Sequence, residues 1–513
     1  MRHGIKEKSM SDKKEISQEL PLITRKEYLG AQRCLKMLWK DRFSPQDCRP
    51  AEADEAMIEQ AKEVKRLALS LFEERKIIHA GSAEERCAET AALLDGTAAV
   101  IEGASFQKDG CHACMDLLEV TEEGWLRIYL IRSSLHMRAS YLEDLSFQAW
   151  LLKELGYTVK NCVFMHLSEK YERVGELDLS ALFVKEEMIK AVRKRIAKVP
   201  GQIERIRRAL LSDRPEEREI GEYCLSYRRC GYYDSCFESP GTNSVFVLNN
   251  MALNVKMDLY HRNKTDLSVL LKEGKLNKAQ ALQARYELED LPDHIEKDNI
   301  RQFLNGLGVP MYFLDFESFQ PAVPLFDHTR PYDQVVFQYS LHILREIGGV
   351  PEHREFLAPP GEDPRRKLAE SLCADIPASV PVIVYNEQYE KARIRELAAL
   401  FGDLSEALLG IAGAIRDLAS VFQNRWYYSR VMHGRYSIKV VLPALFPDDP
   451  ELNYENLGGI HEGQAASSAY LSMPSMSEEE QEECRRSLLA YCALDTLAMV
   501  KIVQKLERVT SDA

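Results

Sequence analysis

Met311-Tyr312-Phe313-Leu314-Asp315-Phe316-Glu317 is the stretch on which the reading of this chain turns. Its near-continuous apolar run is what a central strand of a covered sheet requires. Asp315 and Glu317 stand two residues apart, so on a strand their carboxylates project from one face. Two charges on a buried strand are costly unless compensated, and a divalent cation is a common partner. A strand end open to water, with both groups merely solvated, is the plainer alternative.

Two further segments lie downstream. A strand-like run at 380–385 leads into Asn386-Glu387-Gln388-Tyr389-Glu390, and the following KARIRELAALF has a helical pattern. Glu390 therefore falls near a strand–helix junction, where α/β sheets carry active groups. An acid in a first helical turn is also favoured by the helix dipole alone. In the last segment Ser477 and Glu480 fit a capping box, and apolar periodicity continues through 485–503. Tyr491 and Asp495, four residues apart, share a face with Leu488 and Met499. An Asp on such a core-facing stripe needs a partner.

In this order the three segments resemble the DEDD 3′→5′ exonucleases of the ribonuclease H-like superfamily. Their D-x-E strand motif is matched by Asp315 and Glu317. Their N-x-x-[FY]-D motif is matched by Asn386, Tyr389 and Glu390, with Glu in place of Asp. The Y-x-x-x-D motif of the tyrosine subclass is matched by Tyr491 and Asp495. The resemblance implies two Mg²⁺ or Mn²⁺ ions held by Asp315, Glu317, Glu390 and Asp495, with Tyr491 orienting the attacking water. Hard cations of this kind take oxygen ligands, which suits carboxylates. The longer Glu390 puts the geometry of one ion in question. The block Gly434-Arg435-Tyr436-Ser437-Ile438-Lys439 offers cationic and hydroxyl contacts to a substrate backbone, or is an ordinary surface turn.

The rest of the chain sets the context. At 513 residues it is long enough for two or three cores, and 45% hydrophobic with 29% charged residues is a globular balance. A net charge of −13 argues against passive coating of nucleic acid but not against an enzyme that holds cations with carboxylates. No uninterrupted apolar run spans a bilayer, and residues 1–20, with Met10 as an alternative start, read as a flexible tail without a leader peptide. The expectation is a cytoplasmic protein with no membrane contact. With no secretion signal, twelve cysteines point to metal or cluster ligation rather than a disulfide framework.

Residues 21–245 read as an α/β segment: a helix near 25–40, strands at 98–106, 113–120 and 125–131, a helix at 141–155, and a basic helical stretch at 189–212. Cys224, Cys230 and Cys236 recur at even spacing in a loop rich in Tyr and Gly, and Cys34 is the candidate fourth ligand. One cysteine near the start of a domain and three near its end resembles the iron–sulfur-stapled nucleases of the Cas4 and AddB type. That implies a [4Fe–4S] cluster, with zinc as the alternative. Cys111-His112-Ala113-Cys114 reads as core. A degraded PD-(D/E)XK pattern lies between the cysteines, with Glu102 upstream, Asp116 first and Gln148 last. Leu130-Ile131-Arg132 stands where that family carries an acid and a lysine, so the domain is expected to fold like the nuclease and cut poorly. Lys190, Arg193, Lys194, Arg195, Lys198, Arg205, Arg207 and Arg208 form the densest basic run, a phosphate-contacting surface or a solvated helix face.

YFLDFESF, TRPYDQVVFQYSLHIL, YSIKVVLPAL and YCALDT resemble the bacterial family labelled DUF2779, over most of residues 22–505. The expected fold is α/β, with two α/β domains. A restriction-endonuclease-like domain spans 21–245, a helical connector 246–304, and a ribonuclease H-like domain 305–513. The expected activity is 3′→5′ exonucleolytic hydrolysis of DNA or RNA at single-stranded 3′ ends. A nucleic-acid-binding protein with both sites dead, or an endonuclease run from Asp116, are the alternatives.

Overall fold

The computed structural model describes residues 20–49, 55–79, 81–94, 98–226, 228–457 and 459–511. The expected tail, Met10 included, lies outside them up to residue 19. The protein is mixed α/β, built on two principal sheets.

The first sheet has six strands whose order in space follows the chain: β1 (Lys76–Ile77), β2 (Ala99–Glu102), β3 (Leu117–Val120), β4 (Leu126–Arg132), β5 (Val159–Leu167) and β6 (Phe183–Glu187). Only β1–β2 and β4–β5 pair parallel. Of helices α1 (Arg25–Arg33), α2 (Glu55–Ser70) and α3 (Ala139–Glu154), the last two pack on it, and α1 packs against α3 and shares its core. A capping box at Thr24 and Glu27 starts α1. The single helix expected near 25–40 is two, because the backbone is extended at Cys34 before helix resumes over Leu35–Phe43. The basic run is also divided, into Ile189–Arg195 and Val199–Leu210. Several of its charges are internally paired, Arg195 with Glu143 at 2.6 Å and Arg205 with Glu216 at 3.8 Å.

The second sheet has five strands in the spatial order β9–β8–β7–β10–β11: β7 (Met311–Phe319), β8 (Val335–Leu344), β9 (Glu352–Leu357), β10 (Val382–Val384) and β11 (Ile415–Asp417). β7, β8 and β9 are antiparallel neighbours, while β10 and β11 run parallel to β7. β8 is buried along its full length, as a doubly covered strand must be. Three more helices matter here: α4 (Glu387–Leu400), α5 (Gly463–Ser472) and α6 (Glu478–Thr510). Ser477 and Glu480 close the capping box at the start of α6.

Helix α6 has an 18-residue window of mean hydropathy 1.3, enough by length and composition for a membrane span, and 61% of that window is buried inside the protein. It crosses β7 and β8 as a core helix. Alternate side chains of β8 fasten it: Gln338 donates to the Leu488 carbonyl at 2.8 Å, and Ser340 and His342 each meet the Thr496 hydroxyl at 2.7 Å. Register along α6 is thereby tied to register along β8.

The two halves are not beads on a connector. Tyr286 and Ile300, from the expected connector, pack in the core under β7 and α6. His294–Ile295 also pairs antiparallel with Tyr427–Tyr428. In the other direction, Ala322 from the β7–β8 connection enters the core formed by Val64, Ala68, Leu117 and Ile131. Tyr332 donates to the Ser133 carbonyl at 2.6 Å, and Arg173 donates to the Pro324 and Leu325 carbonyls at 3.1 and 2.8 Å. The sequence pattern missed this shared core because the segment after β7 (PAVPLFDHTRPYD) carries turn signals and no periodicity.

Candidate active site and cysteine centre

Strand alternation puts Asp315 and Glu317 on one face of β7, opposite Ser340 and Gln338 of β8. Helix α6 crosses that face and presents Tyr491, Cys492 and Asp495, all buried. Ligand atoms of Asp315, Glu317 and Cys492 lie within 4.8 Å of one another. The Cys492 thiol lies 3.7 Å from Oδ2 of Asp315 and 3.8 Å from its carbonyl oxygen. Glu390, in the first turn of α4, is 3% exposed, and its Oε2 has no hydrogen-bond partner. It acts electrostatically on Asp315 but stands outside the tightest group.

Burial and crowding make this cluster unfavourable without cations. Burial, then Asp495, Glu317 and Glu390, hold the Asp315 carboxyl well above the ordinary range. Burial and Asp495 raise Glu317, while Lys439 pulls it down. Burial raises Asp495 against a hydrogen bond from Tyr454 and the charge of Lys439. Burial and Asp417 push Glu390 up to about 8. The Tyr491 phenol is held neutral by burial and by the charges of Asp495, Glu317 and Asp315.

Two residues absent from the expected ligand set complete the surroundings. Tyr454 donates to Oδ1 of Asp495 at 2.5 Å. Lys439 lies over the rings of Tyr454 and Tyr491, 5.3 and 5.2 Å from their centroids, and donates to the His461 carbonyl at 2.6 Å. Of the block 434–439, Lys439 is thus the member that faces the acids. Gly434 is structural: its φ of +75° and the close Gln283 side chain leave no room for a Cβ.

A pH prediction follows. Carboxyls raised in the folded state bind protons on folding, so their stabilising share is complete below about pH 4 and is lost as pH rises through about 8. In EDTA the melting temperature should fall by about 5 °C between pH 6 and 8.5. Calorimetry of Glu390→Gln should show much of that fall removed; an unchanged slope would contradict the assignment.

The N-terminal constellation is built differently. Asp116, just before β3, is 5% exposed and Asp144, on α3, is 1% exposed. Arg132 bridges them at 2.7 and 2.8 Å. Arg25 reaches Asp144 at 2.6 Å and Asp116 at 3.8 Å, and Lys65 reaches Asp116 at 2.8 Å. Gln148 donates to Asp144 at 2.7 Å. Glu102 is elsewhere, paired with Arg75 at 2.7 Å. Three protein cations thus neutralise the two buried acids. Burial would raise the Asp116 carboxyl, but Arg132, Arg25 and Lys65 hold it well below the ordinary range.

Cys34, Cys224, Cys230 and Cys236 line one small cavity together with Arg33, Lys36, Arg218 and three tyrosines. The extended backbone at Cys34 lies at the junction of the two helices beside this cavity. Arg33 ties the cysteine loop down through the carbonyls of Tyr223 and Cys224, at 2.9 and 3.1 Å. Cys111 is buried on its strand, and His112 bonds the Ser105 hydroxyl at 2.9 Å, so that CHAC segment is core.

Among known proteins, residues 312–437 match the family described as a domain of unknown function, DUF2779. The match covers β7 to Ser437, narrower than the 22–505 resemblance expected from sequence. Uncharacterized protein MG366 of Mycoplasma genitalium is 25% identical over 217 residues, covering 39% of this chain and 32% of its own length. Its homolog in Mycoplasma pneumoniae is 25% identical over 206 residues, covering 37% and 31%. The chain thus spans about a third of the length of these curated relatives.

Proposed function

We propose that the protein is a metal-dependent nuclease whose second sheet is a ribonuclease H-like domain, and that it hydrolyses DNA or RNA from the 3′ end. The observation that carries this is the convergence of Asp315, Glu317 and Asp495, with Glu390, whose buried Oε2 has no hydrogen-bond partner, acting on Asp315. Four acids held this way fit hard divalent cations, and the sheet order with an antiparallel second strand suits the same family. Mg²⁺ or Mn²⁺ bound there would activate water and neutralise charge on the phosphodiester. The chain's own residues do the rest. Tyr454 orients Asp495, Tyr491 holds a neutral phenol beside the acids, and Lys439 is a cation within reach of a substrate phosphate. Each turnover consumes one water and releases a nucleoside 5′-monophosphate, leaving a new 3′-hydroxyl.

Purified protein with Mn²⁺ should degrade 5′-labelled single strands to a ladder, and a panel of DNA and RNA strands reads the sugar preference. No ladder on any strand would end the proposal. The twelve free thiols suit a reducing, cytoplasmic setting.

We also propose that the cysteine quartet holds a [4Fe–4S] cluster. The four cysteines line one small cavity, and four thiolates brought together suit such a cluster, with zinc as the alternative. Anaerobically purified protein should be brown and absorb near about 400 nm, and Cys230→Ser should lose most of that absorbance. Colourless protein carrying one zinc would refute the cluster.

A further inference from the structure

A cleft of about 370 Å³ opens beside Glu317, within the roughly 300–1,000 Å³ of small-ligand sites. Its inner side belongs to the second sheet, with Ser318, Gln320 and Gln334 among its lining, and its outer wall is the first turn and a half of α2 from the other half of the chain: Ala56, Met57 and Gln60. We infer that this cleft between the two halves holds the terminal nucleoside of the strand, so that the N-terminal half supplies one wall of the exonuclease substrate site.

Three observations support it. Among the described residues lining the cleft, Glu317 is the charged one, and the others are amides, hydroxyls, glycine and apolar groups. Such a lining suits the uncharged part of a nucleotide, with base and sugar among amides and hydroxyls and the phosphate left at the carboxylate end. Met57 and Leu471 supply apolar surface for a base.

The wall is also fixed. Val64, Ala68 and Leu69 of α2 are buried in the core that Ala322 enters from the second half. Gln60, itself one of the lining residues, accepts the Ala322 backbone N–H at 2.8 Å through Oε1, which pins its side chain between the two halves.

Finally, the inner side is ordered by its own bonds. The Ser318 hydroxyl lies 2.5 Å from the Tyr389 hydroxyl and 2.6 Å from Oε1 of Gln334, and the Ser467 hydroxyl donates to the Ser318 carbonyl at 2.5 Å. A preformed cleft of this kind binds with little ordering cost.

The inference rests on the nuclease reading, and the two are separable by experiment. AMP and dAMP, the product class, are titrated calorimetrically into full-length protein with Mn²⁺, in parallel with strand degradation. Ala56→Trp places a bulky ring in the cleft wall. Ile58→Trp, at a 46% exposed position of the same helix outside the cleft lining, controls for the substitution itself. Ala56→Trp should weaken nucleotide binding at least tenfold and slow strand trimming by a similar factor, while Ile58→Trp stays within twofold of wild type. Wild type that binds neither nucleotide, or Ala56→Trp that binds and trims like wild type, overturns the cleft. Wild type that trims no strand, yet loses nucleotide binding on Ala56→Trp, keeps the cleft and ends the nuclease reading.

Discussion

Asp315→Asn should lose at least about 10³-fold in strand hydrolysis, a loss of ~4 kcal/mol of transition-state stabilisation, and should melt higher than wild type in EDTA at pH 8. The two effects share one cause. Asp315 lies at the centre of four acids, and its carboxyl is raised by burial and by all three others. The neutral amide keeps the shape and removes the repulsion, so the metal-free fold gains stability. The same change removes a ligand oxygen, so activity goes. A carboxylate retained for structure would show the opposite pair, with lost stability and little change in rate. The trade of stability for function is what buried, uncompensated charge at a working site produces. Mn²⁺ titration followed by melting temperature completes the test: wild type should rise with Mn²⁺ and Asp315→Asn should rise much less. An active Asp315→Asn, or one that melts lower in EDTA, would remove Asp315 from the centre of the site.

That acid was legible from sequence because period-two alternation on β7 and the i, i+4 spacing of Tyr491 and Asp495 each fix a face within a few residues. The capping box at Ser477 and Glu480 likewise marks where α6 begins. Cys34 shares one cavity with Cys224, Cys230 and Cys236, a proximity that counting candidate ligands suggests. What escaped were contacts between residues far apart in sequence with no pattern between them. Tyr454 reaches Asp495 across 41 residues from a short 3₁₀ turn. Lys439 looked like one cation in a surface block, and only the fold sets it over two tyrosines. Cys492 was hidden by its neighbour Tyr491, although its thiol lies 3.7 Å from Oδ2 of Asp315. The wall supplied by α2 depends on docking of the β7–β8 connection, which no local propensity encodes.

Asp116→Ala tests the other constellation, and its largest effect should be on stability. Arg25, Lys65 and Arg132 surround Asp116, and the Ile131 N–H also donates to it at 3.0 Å. Removing one partner of a buried ionic group costs about 3–5 kcal/mol, because the charges left behind stay desolvated. The melting temperature should drop by about 5–10 °C. Replacing the pair together, as Asp116→Leu with Arg132→Met, should recover part of that loss, since no unpaired charge then remains at the bridge. The pH dependence has the opposite sign to that of the C-terminal acids. A carboxyl held below its ordinary value gives stability that is present above about pH 4 and is lost as pH falls toward the folded value. Below the melting transition the strand ladder should persist within about fivefold of wild type, against the 10³-fold expected at Asp315. Arg132 explains the difference physically: its guanidinium lies between Asp116 and Asp144 and supplies in fixed form the positive charge that a metal would bring. A guanidinium carries no exchangeable water ligand, so it neutralises the acids without activating a nucleophile. Cleavage that disappears with Asp116→Ala and survives Asp315→Asn would reverse the assignment and move the reaction to the N-terminal half.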